Sequence, residues 1–294
     1  MSGGRLHGVL PVDKPPGPTS HDIVERARRA IGERRVGHTG TLDPFASGLL
    51  LLCVGEATRL AEYLSGLEKT YEATARLGVA TDSGDVDGEV VATSERWEHV
   101  TTAALEGALA GLRGEILQVP PGLSAKKLEG VPAHRRVRRG EDVELAPRRV
   151  TVHELVVLSH EPPEVRLRVR CSAGTYVRAL ARDLGEILGV GAHLTALRRT
   201  AVGAFDVRSA LTPDVLVEPG RVAGALLGPL EAVGHLRRVD VDAEAAASLR
   251  HGRAIEVGDG VAAGISVAAS GGVLVAVGEI RNRSFRPHKV FAHG

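Results

Sequence analysis

The chain has 294 residues, 43% of them hydrophobic and 25% charged, the profile of a folded globular protein and not of a disordered one. It contains no run of about 18 apolar residues for a membrane span, and its N-terminal MSGGRLHGVL lacks the long apolar stretch of a secretory signal. Thirty-seven Lys and Arg against 36 Asp and Glu leave a formal net charge of +1, which would exclude a nucleic-acid partner only if the charge were evenly spread.

Residues 8–12 (GVLPV) read as a short strand, and Pro15, Pro16, Gly17 and Pro18 after it form a rigid turn that cannot be helical. Ser20 is placed to cap an amphipathic helix over His21–Ile31. GHTGTLDPFASG (37–48) has the glycines, the Asp-Pro step and the small polar residues of a loop. It feeds LLLLCV (49–54), an apolar run short enough for a buried strand. A helix over Glu56–Leu64 and an alternating strand over Tyr71–Leu77 come next, then a turn-rich acidic segment (81–89) and a helix over Thr102–Leu112 ended by Gly114. Strands are expected at 150–158 and 165–171, where RLRVRC alternates basic and apolar residues as in a one-sided sheet. Thr175 then caps a helix over Tyr176–Leu188 that carries Val177, Leu180, Ala181, Leu184 and Leu188 on one face. Pro213, Pro219 and Pro229 punctuate the stretch 209–230. Short strands at 236–241, 253–257, 264–268 and 273–280 and a helix at 242–250 follow, the makings of a small β-barrel-like unit. Strands and helices alternate without regular βαβ spacing, so a mixed α/β or α+β sheet is expected.

The charge is unevenly spread. Residues 82–115 hold eight acids and two bases, a balance of −6; residues 126–149 hold eight bases and four acids, +4. Residues 166–199 carry seven Arg against Asp183 and Glu186, +5, and residues 281–294 carry four bases and no acid. Such segments read either as solvated faces or as a phosphate-facing surface.

Several familiar chemistries are missing from the sequence. There is no GxxxxGK[ST] and no GxGxxG after a strand. SGDVDGEVVATS fails as a calcium loop, because Ser83 and Ser94 stand where an Asp and a bidentate Glu are needed. Twelve His are scattered with no HExxH, and Cys53 and Cys171 form no CxxC, so no metal is expected and a reducing cytoplasm is. Asp43, within GHTGTLDP, reads either as an ordinary Asp-Pro turn or as a carboxylate presented at the mouth of a cleft. Arg178 stands in the first turn of a helix, where the macrodipole disfavours a cation, so it calls for an anion: a phosphate, a buried carboxylate, or nearby Asp183. Tyr71 and Tyr176 are two of only three tyrosines, each in a well-patterned element.

KPPGPTSHD (14–22), RRVGHTGTLDPFASGLLLLCVGEATRL (34–60), KTYEATARLGVATDSGDVDGEV (69–90) and CSAGTYVRALARDLGEILGVGAHLTALRRTAVGAF (171–205) strongly resemble the TruB family of tRNA pseudouridine synthases. The tail, with VLVAVGEI and RPHKVFA, looks like the small PUA RNA-binding domain of many members. The resemblance implies an α+β fold, with a mixed, mostly antiparallel sheet flanked by helices over 1–230, a basic RNA-clamping insertion at about 124–149, and a β-barrel-like PUA domain over 231–294. It implies isomerisation of the T-loop uridine of tRNA, position 55, with no cofactor, no metal and no guide RNA, by a monomer. Asp43 becomes the catalytic carboxylate, Tyr71 the ring stacked on the target base and Arg178 the counter-charge that keeps Asp43 ionised. Tyr176 and Leu197 line the uracil pocket, His38 fills the space left by the flipped nucleotide, and Lys14 supports the floor of the site. Lys126, Lys127, Arg135, Arg136, Arg138, Arg139, Arg198 and Arg199 become contacts to the RNA backbone. In the insertion, Leu123 and His134 stand where the family usually has aromatics. The competing expectations are a tRNA-folding chaperone with secondary or no catalysis, and the catalytic subunit of a guide-RNA particle.

Overall fold

The computed structural model describes residues 6–121, 127–128, 131–132 and 146–292. Strands Gly8–Lys14 (β1), Val36–His38 (β2) and Ser47–Val54 (β3) lie side by side, with helix Ser20–Ile31 (α1) between the first two. LLLLCV is apolar without alternation because β3 is covered on both faces. Leu50, Leu52 and Val54 pack with Leu10, Val12 and the α1 residues Ile23, Val24 and Ala27. Leu49, Leu51 and Cys53 face the opposite way, into a second core layer. Thr19, one residue before the expected Ser20, is the N-cap of α1 and forms a capping box with Asp22. That frees the Ser20 hydroxyl to turn inward.

The expected helix over 56–64 is a 3-10 turn, Gly55–Leu60, running into the short helix Ala61–Ser65 (α2). Lys69–Leu77 (β4) follows, then the hairpin of Val79–Thr81 (β5) and Val90–Thr93 (β6), helix Thr102–Ala110 (α3) and Gly114–Gln118 (β7). Two-residue strands Lys127–Leu128 (β8) and Val131–Pro132 (β9) precede the long hairpin of Arg148–Glu161 (β10) and Glu164–Cys171 (β11). Helix Val177–Ile187 (α4), Ala192–Val202 (β12) and Phe205–Asp206 (β13) complete this part. Among the described residues the large sheet runs β1-β3-β12-β4-β11-β10-β7, with β2 added to β3 and β13 to β12. Every pairing is antiparallel except β3 with β12, which makes the fold the expected α+β type with a mixed, mostly antiparallel sheet.

RLRVRC alternates because β11 buries one face only. Leu167 and Val169 point into a core shared with Leu105 and Leu109 of α3 and Leu180 and Leu184 of α4. β12 escapes prediction because two register shifts, at Leu194/Ala196 and Arg199/Ala201, interrupt its period of two. Gly48 lets β3 enter beside it: at φ +105° a side chain there is strained, and a Cβ would lie 2.2 Å from the Arg199 carbonyl oxygen.

Helices Pro219–Ala225 (α5) and Pro229–Ala232 (α6), each with a proline in its first turn, lead to the C-terminal sheet. Its strands are Arg237–Asp240 (β14), Ile255–Glu256 (β15), Gly264–Ser270 (β16), Val273–Arg281 (β17) and Ser284–Val290 (β18), in the order β14-β16-β17-β18-β15, with helix Ala243–Arg250 (α7) packed on them. β18 is hidden in the sequence by Pro287, which is tolerated because β15 pairs only with Ser284 and Phe285. The sheet shares a core with the large one: Val267, Leu274, Val277 and Phe291 pack with Val9, Leu49, Leu51 and Leu60. Arg59 lies 5.3 Å over the Phe291 ring and donates to the Val290 carbonyl, and Lys289 pairs with Glu62 at 2.8 Å. No described helix is long and apolar enough to cross a membrane.

Candidate active site

Asp43 lies in the loop between β2 and β3, and nearly every residue of that loop is fastened from elsewhere in the fold. Thr39 N–H donates to the Leu51 carbonyl at 3.2 Å. The buried Arg199 guanidinium, from β12, donates to the carbonyls of Gly40 (3.1 Å), Thr41 (3.3 Å) and Leu49 (2.7 Å). Ser20 Oγ, from α1, donates to the Leu42 carbonyl (3.1 Å) and accepts from the Leu42 N–H (2.9 Å). Lys14 Nζ, at the end of β1 and fully buried, donates to the carbonyls of Pro15 (2.9 Å), Pro18 (2.8 Å) and Pro44 (3.2 Å). Three distant elements thus hold the backbone on both sides of Asp43, which is the preorganisation a reacting carboxylate requires.

The carboxylate opens onto a cleft of about 260 Å³, lined among others by Thr39, Tyr71, Tyr176, Arg178 and Leu197. This is smaller than the roughly 300–1,000 Å³ of drug-sized ligand sites. Arg178 Nε lies 2.9 Å from Asp43 Oδ2, and Nη2 donates to Oδ1 at 3.4 Å. The same guanidinium turns its other end inward, where Nη1 donates to Asp85 Oδ2 (3.0 Å) and to the Ser83 carbonyl (2.9 Å). Asp85 is buried in the 81–89 turn and also accepts from Ser83 Oγ (2.6 Å) and the Asp87 N–H (3.1 Å). The anion that Arg178 calls for is therefore a pair of carboxylates, and Asp183 bonds instead to Arg182 at 2.7 Å.

Sharing one cation between two carboxylates changes the acidity of the first. Burial raises the Asp43 pKa above the ordinary aspartate value; Arg178 works against this, and Asp85 adds to it. Arg178 thus limits the rise and does not abolish it. If Asp43 must be ionised to act, the acid limb of kcat lies above the ordinary aspartate range. Asp85→Asn removes a negative neighbour, so it should shift that limb to lower pH while lowering kcat roughly 10- to 100-fold through looser placement of Arg178. Single-turnover rates across pH measure both; a limb that moves upward would refute the electrostatic role of Asp85.

Tyr71 is buried in β4, and burial raises the pKa of its phenol, so it enters the cleft as a neutral ring. Tyr176 precedes α4, which begins at Val177, one residue later than expected. Thr175 does not cap it, since its hydroxyl donates to the Ser172 carbonyl (3.0 Å). The buried Gln118 does the fastening: its Oε1 accepts from the Tyr176 N–H (2.8 Å) and its Nε2 donates to the Tyr176 carbonyl (3.1 Å). His38 lies on β2, next to the lining residue Thr39, and its buried Nδ1 has no hydrogen-bond partner among the described residues. Arg199, expected as a contact to the RNA backbone, is 2% exposed and donates to three carbonyls, so it supports the Asp43 loop. Arg198 is half-buried and bonded to both oxygens of Asp13 (3.0 and 2.7 Å), which leaves it less available than the sequence implies. Lys126, Arg135, Arg136, Arg138, Arg139 and the Lys127 side chain lie outside the described residues.

Residues 28–177 match the TruB family pseudouridylate synthase (N terminal domain), and residues 178–218 match the tRNA pseudouridylate synthase B C-terminal domain. The chain is 47% identical over 268 residues to tRNA pseudouridine synthase B of Aromatoleum aromaticum, covering 90% of this chain and 86% of the relative. It is 46% identical to the protein of that name from Thermobifida fusca, covering 97% and 98%. Among solved structures it is similar to a chain of the archaeal box H/ACA sRNP Nop10-Cbf5 complex, with 26% identity, a TM-score of 0.74 and coverage of 98% and 86%. A Cbf5-Nop10-Gar1 complex gives 29% identity, a TM-score of 0.75 and coverage of 98% and 85%.

Proposed function

The chain belongs to the TruB family of pseudouridylate synthases, and from that premise we propose that this tRNA pseudouridine synthase acts on the uridine at position 55, in the T loop. The observation that carries the reading is Asp43, joined to Arg178 at the wall of a cleft that also presents Tyr71 and Leu197. A uridine inside a folded loop must leave its stack before the N1–C1′ bond is accessible. A small cleft with one aromatic wall suits a single extruded base, and stacking on Tyr71 offsets part of the unstacking. Asp43 then serves the cleavage of N1–C1′, the base turns within the pocket, and C5 bonds to C1′; the C5 proton leaves and N1 takes up a proton in its place. Bonds are exchanged within one nucleotide and nothing is oxidised or reduced. Tyr176 and Leu197 confine the turning base, His38 occupies the vacated stack, and Lys14 supports the floor beneath Asp43.

On the same reading residues 231–294 form a PUA-like RNA-binding unit, and the basic insertion at about 124–149 grips the RNA backbone. The enzyme works as a monomer without a guide RNA. The relatives of this chain at 46–47% identity are named for tRNA, whereas the likeness to chains of H/ACA particles lies at 26–29%. A chaperone without chemistry would leave the Asp43–Arg178–Asp85 arrangement without a task. Tritium release from [5-³H]uridine-labelled tRNA transcripts tests the reading. Release should approach one equivalent per tRNA and disappear when cytidine replaces the uridine at position 55; release that survives that replacement would place the target elsewhere.

A further inference from the structure

Lys69 opens β4 two residues before Tyr71, lines the cleft, and is only 7% exposed. Its ammonium donates to the carbonyls of Ser65 and Leu67, both at 2.6 Å. An ammonium has three hydrogens, and among the described residues no acceptor takes the third and no carboxylate pairs with Lys69. Lys14 is different: three carbonyls saturate it, and the Asp43 charge offsets part of its burial. The charged neighbour of Lys69 is Arg199, of the same sign, and burial together with Arg199 pushes the Lys69 pKa down to about 8. Nearby Cys171 offers no negative charge at neutral pH, because burial pushes its thiol up to about 11. A buried cation is retained at a cost unless an anion arrives to pair with it. The cleft that Lys69 lines also carries small and polar residues, among them Ser65, Ser172, Gly174 and Thr175.

We propose that Lys69 is a phosphate subsite that takes a backbone phosphodiester flanking the extruded uridine. This rests on the reading of the chain as a tRNA pseudouridine synthase. The base, on Tyr71, and its phosphate, on Lys69, would then be held by neighbouring residues of one strand, which fixes the sugar between them where Asp43 works. The bland alternative is that Lys69 only staples the 65–67 turn.

The full chain carrying Asp43→Asn, which separates binding from turnover, is titrated with tRNA at a series of salt concentrations, with and without Lys69→Met. The slope of log Kobs against log[salt] should fall by about 0.7–0.9 with Lys69→Met, the share of one phosphate, and Lys69→Arg should restore it. An unchanged slope with a lowered Tm would overturn the proposal in favour of the staple. If Lys69→Met does not fold, the unsubstituted chain is tested with tRNA bearing a neutral methylphosphonate on the 5′ or the 3′ side of the target. A loss of affinity at one of the two linkages supports the subsite, and no loss at either overturns it. Competition by inorganic phosphate, lost in Lys69→Met without any change of slope, would assign the ammonium to a free anion and also overturn it. Failure of the unsubstituted chain to release tritium would instead sink the functional reading, so the two failures are distinguishable.

Discussion

Asp43→Asn is expected to abolish turnover, lowering kcat on the order of 10³-fold or more, while tRNA affinity stays within about threefold of the unsubstituted chain. Asn is close to Asp in size and its amide can still accept from Arg178, so the loop pinned by Ser20, Lys14 and Arg199 should keep its shape. What is lost is a carboxylate able to attack, to take a proton or to stabilise developing positive charge, and each of those roles needs the negative oxygen. Affinity depends on other groups, because phosphate contacts dominate RNA binding and a carboxylate contributes nothing to them. Tritium release under single-turnover conditions and a filter-binding titration of the same preparation give the two numbers. Retained turnover would remove Asp43 from the chemistry and leave the deeper Asp85 as the other carboxylate on Arg178. Weakened binding with normal turnover of bound tRNA would recast the loop as a docking element.

The central strands were legible in the sequence because burial leaves a periodic trace. LLLLCV betrays a strand covered on both faces, and RLRVRC one covered on a single face. The residues gathered at the cleft were legible only through the resemblance, since an Asp-Pro step and a lone Arg have commonplace readings. The residues that hold the site in place were not legible. Ser20 reads as a helix cap, and a one-residue shift of the cap to Thr19 turns it into a clamp on Leu42, 22 positions away. Gln118 ends an edge strand and fastens Tyr176 across 58 positions, and Arg199 reaches back 159 positions to Gly40. Local pattern carries no record of such contacts. Asp85 was visible only as one acid of eight in the −6 segment, and Lys69 only as a residue near Tyr71. Charge read along the chain likewise does not distinguish a guanidinium in solvent from one that, like Arg199, bonds to buried carbonyls. The one faint signal for Asp85 was the position of Arg178, a cation in the first turn of a helix, which required an anion of some kind.

That requirement supplies the second large effect. Arg178→Ala should lose activity as severely as Asp43→Asn and, unlike it, should also lose stability, by about 3–5 kcal/mol, because it leaves the buried Asp85 without its cation. Arg178→Lys should not rescue it. A single ammonium cannot place Nε and Nη2 on Asp43 while Nη1 holds Asp85 and the Ser83 carbonyl. The double variant Arg178→Ala/Asp85→Asn separates the two losses. Removing the stranded carboxylate should return a large part of the stability, so the two changes are strongly non-additive in Tm. Activity should remain low, because Arg178 then neither counters the burial-driven rise of the Asp43 pKa nor orients its oxygens. Thermal unfolding and single-turnover tritium release on the unsubstituted chain, Arg178→Ala, Asp85→Asn and the double variant complete the cycle. Recovery of both together would mean that Arg178 matters only to the fold; recovery of stability alone assigns the guanidinium to the reaction.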